Sequence, residues 1–161
     1  MSRSNGFTLI EVLVVVVVLG ILAGVAVPQF FDAAGESETA TMRTLVRQIR
    51  QQIDYHIAIG EVDDITGVPV TVEVEWFGTH LPKQFYTNKP IRLKVESKGS
   101  ERYPEKKTFN ATKPNPKTAW YNTDNGEFCF KVPKQVGNRQ AKIAEFNRIN
   151  GSNITEIDQV D

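Results

Sequence analysis

GFTLIEV, residues 6–12, opens an apolar run that continues to Phe31 and decides how this 161-residue chain is organised. Residues 7–31 contain a single charged side chain, that of Glu11. A helix of this length, rising about 1.5 Å per residue, is roughly 37 Å long, which exceeds the ~30 Å apolar core of a bilayer. Arg3 precedes the run and favours a cytoplasmic N-terminus. The sequence therefore predicts one membrane-spanning helix.

Glu11 is the anomaly of this helix, because an acid in a spanning segment costs about 2.5–3.5 kcal/mol on insertion scales. Three interpretations are open. The carboxylate sits near the membrane interface, where it suits the positive end of the helix dipole. Alternatively it is protonated in the lipid, or it finds a cation on another subunit. Cleavage after Gly6 would create such a cation, the new ammonium group of Phe7.

These residues resemble the processing site of type IV prepilins and type II secretion pseudopilins. The resemblance implies that a prepilin peptidase cleaves between Gly6 and Phe7, and that the amine of Phe7 is then N-methylated. It also implies that Glu11 pairs with the Phe7 amine of a neighbouring subunit during assembly. Gly20 and Pro28 match common positions of the same family.

The resemblance implies an organisation of leader (1–6), transmembrane and assembly helix (7–31) and periplasmic or extracellular head (32–161). The expected function is that of a filament subunit, not an enzyme. Its expected partners are copies of itself or other pilins and pseudopilins, the prepilin peptidase, the inner-membrane assembly platform and membrane lipid. The chain is expected in the bacterial inner membrane as a single-pass protein, with filaments in the periplasm or at the cell surface.

A secreted or membrane-anchored binding protein is the alternative. Gly24-Val25-Ala26 offers small residues to a conventional signal peptidase, although the apolar run is longer than the usual 7–15 residues of a signal peptide. Residues 82–118 contain ten Lys or Arg against three Glu, so a DNA-contacting uptake pilin is conceivable. The three acids interrupt that block, and DNA contact is the less favoured expectation.

Gly20, Gly24 and Pro28 predict a weak section within the apolar helix. Glycine lowers helix propensity, and proline lacks the backbone donor that an interior helical position needs. Gly20 and Gly24 also form a G-x-x-x-G pair, which permits close helix packing in lipid. We expect residues 20–28 to bend or stretch when the subunit leaves the bilayer for a filament.

Beyond Pro28, apolar residues at three- and four-residue spacing predict that the helix continues to about residue 59 and packs against a globular head. This stripe consists of Met42, Leu45, Val46, Ile49, Ile53 and Ile57. Gly60 is the expected C-cap. Alternation then predicts a half-buried strand over 68–76 and a second over 91–95.

Asp124-Asn125-Gly126 predicts a turn that joins strands over 118–123 and 127–132. The Lys-, Pro-, Ser- and Asn-rich stretch 97–117 predicts a loop. Residues 139–149 predict a short helix between Asn138 and Gly151, followed by a polar, loosely held tail. The predicted class is α+β and pilin-like, with a long helix packed on a small antiparallel sheet.

No nucleophile elbow, P-loop, zinc-protease motif or dinucleotide fingerprint occurs in the sequence. We expect no cofactor. Calcium prefers carboxylate oxygens as ligands. The candidate ligands for a calcium ion are Asp63, Asp64, Asp124 and Glu127. His56 and His80 stand apart from any Cys/His cluster. Cys129, the only cysteine, lies between two phenylalanines and is expected to be buried.

A lone cysteine also excludes the C-terminal disulfide loop that many type IV pilins carry. This departure from the family pattern favours a pseudopilus-like subunit or a simpler pilin-like protein.

Overall fold

The computed structural model describes residues 8–157, and within 24–35 it describes the backbone only. Helix α1 runs from Leu9 to Ala58, which confirms the predicted long helix over the described residues. The chain divides into two units, residues 1–37 and 38–161, and α1 contributes to both. The predicted boundaries of leader, spanning helix and head concern processing and location, and they stay predictions.

In the first unit, the large apolar side chains from Leu9 to Leu22 are all exposed, each by at least the 47% of Val18. These residues surround the helix instead of forming one stripe, as expected of a helix that is apolar on every side. Among the residues that the structure describes, no helix is both long enough and apolar enough to cross a membrane. The membrane span predicted over 7–31 stays a prediction.

In the second unit, α1 buries one stripe against the head, as the spacing predicted. Met42, Val46, Ile49 and Ile53 are at most 2% exposed, and Leu45 packs at the edge of the same core. The prediction for Ile57 was wrong, since its side chain is 37% exposed. The alternating spacing of four and three residues reaches position 56 next, so His56 occupies the last buried place of the stripe.

The head end of α1 closes with the predicted glycine. Gly60 has a φ of +80°, a left-handed conformation that glycine adopts at little cost. The Glu61 N–H donates to the His56 carbonyl at 3.0 Å, and the Gly60 N–H donates to the Ile57 carbonyl at 3.2 Å. This pair of bonds is a Schellman motif, which satisfies carbonyls that the helix end leaves without partners.

Over the described residues beyond α1, the chain forms seven short strands and one α-helix. The strands are β1 (Lys83–Gln84), β2 (Lys89–Pro90), β3 (Leu93–Glu96), β4 (Thr108–Phe109), β5 (Ala119–Asn122), β6 (Phe128–Phe130) and β7 (Val132–Pro133). Helix α2 spans Arg139–Asn150. Single turns of 3₁₀ helix lie at Glu75–Phe77 and Phe85–Thr87.

The head contains parallel as well as antiparallel strand pairs, so the predicted antiparallel sheet is confirmed only for β5–β6 and β1–β2. The central sheet has the order β3-β5-β6, with β3 parallel to β5 and β6 antiparallel to β5. Strands β4 and β7 form a second, parallel pair, and β1 and β2 form an antiparallel one. A parallel pair needs a crossover of a dozen or more residues, and the long stretch between β3 and β5 supplies it.

The predicted hairpin is confirmed as β5 and β6, with Tyr121 opposite Phe128. Gly126 has a φ of +73°, and its N–H donates to the Asn122 carbonyl at 2.9 Å. A side chain at Gly126 would also press against Val68 at 3.3 Å. The turn therefore needs glycine for its backbone conformation and for its close packing.

The strand predicted over 68–76 is absent from the described structure, where this segment forms bends and a 3₁₀ turn. Val68 and Val72 are buried, but Val70 and Val74 are exposed. The Val68 carbonyl accepts from the Asp63 N–H, and the Pro69 carbonyl accepts from the Tyr121 hydroxyl at 2.6 Å. Because these carbonyls serve a turn and a side chain, and Pro69 has no N–H, no ladder forms here.

The structure confirms the predicted second strand, loop and short helix of the head. Strand β3 confirms the second predicted strand, shifted to begin at Leu93. The stretch 97–117 is loop apart from β4. Helix α2 begins where predicted, because the Asn138 side chain accepts from the Ala141 N–H at 3.0 Å, and Gly151 ends it with a φ of +66°.

The tail is held more firmly than predicted over its described part. The Asn147 side chain accepts from the Ile154 N–H at 2.9 Å and donates to the Ile154 carbonyl at 3.0 Å. Ile157 is 4% exposed. These contacts fasten residues 152–157 to the head; the rest of the tail lies outside the described residues.

Asn150 joins α2 to the central sheet. Its side-chain oxygen accepts from the Phe130 N–H at 2.8 Å, and its amide nitrogen donates to the Phe130 carbonyl at 2.9 Å. Its own backbone carbonyl accepts from the Arg50 guanidinium on α1 at 3.2 Å, which also donates to the Phe128 carbonyl at 2.9 Å. This network connects both helices to β6.

We expect Asn150→Ala to destabilise the head by about 3 kcal/mol, because two buried backbone groups of Phe130 lose their partners. The change in the free energy of unfolding is measured by urea denaturation of the full chain in detergent, with tryptophan fluorescence as the signal. The matched control is Asn153→Ala, an exposed site expected to change stability by less than ~0.5 kcal/mol. Equal unfolding midpoints for the two variants would contradict the role of Asn150.

Candidate functional site

The N-terminal end of α1 is organised by Thr8 and Glu11. Helix α1 begins at Leu9, so Thr8 takes the N-cap position and Glu11 the third helical position. The Thr8 N–H donates to Glu11 Oε2 at 2.8 Å, the Thr8 hydroxyl donates to the same oxygen at 2.9 Å, and the Glu11 N–H donates to Thr8 Oγ1 at 3.3 Å. These reciprocal bonds form a capping box, which satisfies donors that a helix start leaves unpaired.

The capping box shows how Glu11 is accommodated in a single chain. Its carboxylate stays exposed and lies at the positive end of the helix dipole, where negative charge is favoured. The helix-dipole part of the first interpretation fits this geometry, and the choice among the three interpretations stays a prediction. Gly6 and Phe7 themselves lie outside the described residues.

The residues of the predicted weak section all lie within α1. The helix continues through Gly20, Gly24 and Pro28. Gly20 has open space where a side chain would project, with no atom within 4 Å. The predicted bending of residues 20–28 on assembly is not tested by this single state and stays a prediction.

The four calcium candidates lie on the head and are engaged in local contacts, except Asp64. Asp63 accepts from the N–H groups of Ile65 and Thr66 at 2.9 and 3.1 Å. Asp124 accepts from the Gly99 N–H and the Ser97 hydroxyl, and these bonds hold its pKa below the ordinary value. In the described part of the chain, no three His, Cys, Asp or Glu side chains come close enough to hold a metal.

Glu127, the remaining candidate, pairs with Arg102 at 3.0 Å. Both groups are near the surface, where an ion pair contributes at most about 1 kcal/mol. The bonds from Ser97 and Gly99 therefore account for the Asp124 carboxylate, and an ion pair accounts for Glu127.

Cys129 and the histidines occupy structural or solvent-facing positions. Cys129 is fully buried in the core, and burial raises the pKa of its thiol to about 12. His80 is exposed. His56 stacks on Trp76 with 3.9 Å between ring centroids, and its Nδ1 lies 2.6 Å from Glu61 Oε2. The sequence signal for the buried position of His56 is its three-residue spacing from Ile53, which continues the stripe of α1.

Comparison with known proteins places the recognisable signal at the N-terminus. Residues 1–27 match the family model described as the prokaryotic N-terminal methylation motif. The chain is 35% identical over 63 residues to a type IV major fimbrial protein, FimA, of Dichelobacter nodosus, which is 39% of each chain. No solved structure matches.

Two further relatives are components of different assemblies, a type IV pilus and a type II secretion system. The chain is 40% identical over 48 residues to the type IV narrow pilus major component PilA5 of Thermus thermophilus, covering 30% of this chain and 41% of the relative. It is 37% identical over 54 residues to the type II secretion system core protein G of Pseudomonas aeruginosa, covering 34% and 38%. The chain thus spans about two fifths of the length of the curated relatives it matches.

Proposed function

We propose that this chain is a structural subunit of a type IV pilus-like filament or of a type II secretion pseudopilus. The observation that carries the proposal is the methylation motif of residues 1–27, followed at once by a helix whose apolar side chains are exposed on every side. The named relatives are pilus and secretion components. A structural role needs no catalytic group in the head, and the chain is proposed not to be an enzyme.

Maturation begins at the leader. Cleavage by a prepilin peptidase after Gly6 removes residues 1–6, and N-methylation modifies the new amine of Phe7. Removal of Arg3 leaves the apolar helix with Glu11 as its only charged side chain. The mature N-terminus then carries the one positive group of this helix.

The exposed apolar side chains from Leu9 to Leu22 need to be shielded from water. Fully burying such a side chain is worth about 1.5–3 kcal/mol relative to water, so the segment is unstable as a free helix in solvent. We propose that inner-membrane lipid covers it in the single-pass precursor, with the head in the periplasm. Neighbouring copies, or other pilins, then cover it in a filament built on the inner-membrane assembly platform.

Glu11 and Phe7 supply the electrostatic part of assembly. In apolar surroundings a lone carboxylate and a lone ammonium are each costly, and pairing the two removes most of that cost. In one chain the carboxylate already serves the Thr8 cap. A staggered neighbour can bring its Phe7 ammonium to the free lone pairs of the same carboxylate without breaking the capping box.

Filament formation is the direct test of this function. Cells that produce the full chain together with a prepilin peptidase and an assembly platform are sheared, and the released material is sedimented and viewed by electron microscopy. We expect filaments that contain the chain without its leader. A chain recovered only as leader-bearing membrane protein, with no polymer, would refute the proposal.

We propose that residues 20–28 are the part of α1 that changes on assembly, since Gly20, Gly24 and Pro28 weaken the helix there. The expected result is a filament density map in which this section is bent or extended. Residues 9–19 should remain α-helical in the same map and serve as the internal control. A straight, unbroken α-helix over residues 20–28 would rule the proposal out.

The filament subunit is proposed to need no cofactor, calcium included. Asp63, Asp124 and Glu127 already have partners within the head. We expect the melting temperature of the full chain in detergent to be the same in excess calcium and in excess chelator. A ligand at a hundred times its Kd stabilises by about 2.7 kcal/mol, so a calcium-dependent rise would reveal a site and contradict this expectation.

A further inference from the structure

One stretch of the head is uniformly acidic and, at the same time, unusually apolar at its surface. Residues 51–82 contain six acids and no Lys or Arg. Six of the large apolar residues that the described head exposes also lie in this stretch: Tyr55, Ile57, Ile59, Ile65, Val70 and Val74. Exposed apolar groups gathered in one region mark interaction surfaces more often than scattered ones do.

His56 connects two parts of this stretch, the end of α1 and the 3₁₀ turn at Glu75–Phe77. Its ring stacks on Trp76 at 3.9 Å and meets the edge of Tyr55 at 5.3 Å. Its Nδ1 contacts Glu61. The end of α1 is thereby fastened to the 3₁₀ turn that follows Val74.

Ile65 is the most exposed large apolar side chain of the described residues, at 93%. The loop that carries it is ordered by Asp63, whose carboxylate accepts from the N–H groups of Ile65 and Thr66. This Asx turn presents Ile65 as a fixed apolar tip beside the exposed carboxylate of Asp64. A preorganised tip loses little conformational entropy on docking.

A groove of complementary character lies elsewhere on the head. It has a volume of about 310 Å³, and its walls include Lys89, Pro90, Arg92, Pro114, Asn115 and Pro116. We call it the proline groove. The segment 83–118 that forms it holds ten Lys or Arg against three Glu. Lys89 Nζ donates to the Pro114 carbonyl at 3.4 Å, which places a positive charge at the groove wall.

We propose that the Ile65 tip of one copy docks in the proline groove of a second copy, with Asp64 facing Lys89 and Arg92. The proposal rests on the proposed filament function and adds a contact between heads to it. Charge complementarity selects a second copy as the occupant, because this chain carries both surfaces and its formal net charge is zero. Two different surfaces in contact make a heterologous interface, which repeats from copy to copy along a filament.

Cysteine crosslinking in filaments tests this contact. The full chain is produced with Ile65→Cys and Asn115→Cys together, and sheared filaments are treated with a short bismaleimide. We expect a ladder of dimers, trimers and longer species, whereas either substitution alone should leave monomers. The native Cys129 adds little background, since it is fully buried and its raised pKa keeps the thiol protonated.

The matched control replaces Ile65→Cys with Gln140→Cys, an exposed position on α2, in combination with Asn115→Cys. This pair should stay monomeric. Charge reversal gives a second readout: Asp64→Lys or Arg92→Glu alone should lower the crosslinked fraction roughly threefold or more, as expected for loss of an exposed charge pair. Combining the two reversals should restore it, because opposite charges face each other again.

The outcomes separate this contact from the function on which it rests. Normal filaments in which the Ile65–Asn115 pair stays monomeric would overturn the contact and leave the filament function standing. An equal ladder from the Gln140 control pair, or no restoration in the combined charge reversal, would also overturn the contact. A chain that forms no filaments would overturn the proposed function, and the head contact with it.

Discussion

Glu11→Ala is expected to leave leader removal intact and to lower the yield of sheared filaments by about a hundredfold or more. In the proposed pairing, loss of the Glu11 carboxylate leaves the neighbour's Phe7 ammonium uncompensated in apolar surroundings, which costs about 3–5 kcal/mol. Each 1.4 kcal/mol is a factor of ten in an equilibrium. Intact mass of the membrane-bound chain reports cleavage, and sedimentation after shearing reports filaments.

The structure supplies a control that the sequence pattern alone did not suggest. Glu11 also accepts from the Thr8 N–H and hydroxyl, so alanine removes a helix cap together with the charge. Glu11→Gln keeps a capping-box partner, because glutamine serves at this position as well, but it removes the charge. We expect both variants to fail equally in assembly. Filaments at the normal yield from the glutamine variant would show that Glu11 acts as a cap and not as a charge partner.

Gly6→Leu is expected to block maturation, so that the chain accumulates with residues 1–6 attached. A bulky side chain beside the scissile bond opposes its close approach to the peptidase, whereas Gly6→Ala, with a single added methyl group, should be cleaved more slowly. The uncleaved chain has no free Phe7 amine, and it should form no filaments. Mass spectrometry of the membrane fraction distinguishes precursor from mature chain.

Ser2→Leu is the matched control for this experiment, because it adds the same side chain to the leader four residues from the scissile bond. We expect normal cleavage and normal filaments from it. A mature Gly6→Leu chain that begins at Phe7 would contradict the assigned cleavage site. A chain that begins at Val27 would instead support the conventional signal peptide, since Gly24-Val25-Ala26 would then direct the cut.

Local features of the sequence predicted the helices and their ends. Asn138 and Gly151 bound α2 as predicted, and Gly60 closes α1, because caps act through the backbone groups of the residues next to them. The turn at 124–126 was predicted from Asp124-Asn125-Gly126, and the Gly126 N–H bonds to the Asn122 carbonyl four positions earlier. These elements were predictable since the interactions that define them lie within a few positions along the chain.

Features that depend on distant partners were predicted less well. The alternation over 68–76 is typical of a strand, yet the Pro69 carbonyl is taken by the Tyr121 hydroxyl, 52 positions away. Pairing of β3 with β5 in parallel depends on how the intervening loop crosses over. The bonds from Arg50 to β6 and α2 arise only when three elements meet. Alternation indicates which side chains are apolar, but it does not indicate which strands pair with each other.

By itself the sequence determined the processing motif, the apolar helix that follows it, the buried stripe of α1, and the hairpin, because each is encoded by neighbouring or periodically spaced residues. Only the tertiary structure decided that His56 takes the last buried place of the stripe, that the head combines parallel and antiparallel strand pairs, and that Ile65 is exposed while other residues line the proline groove. Those outcomes depend on which backbone groups and surfaces the folded head leaves without partners, and that is settled when distant segments pack together.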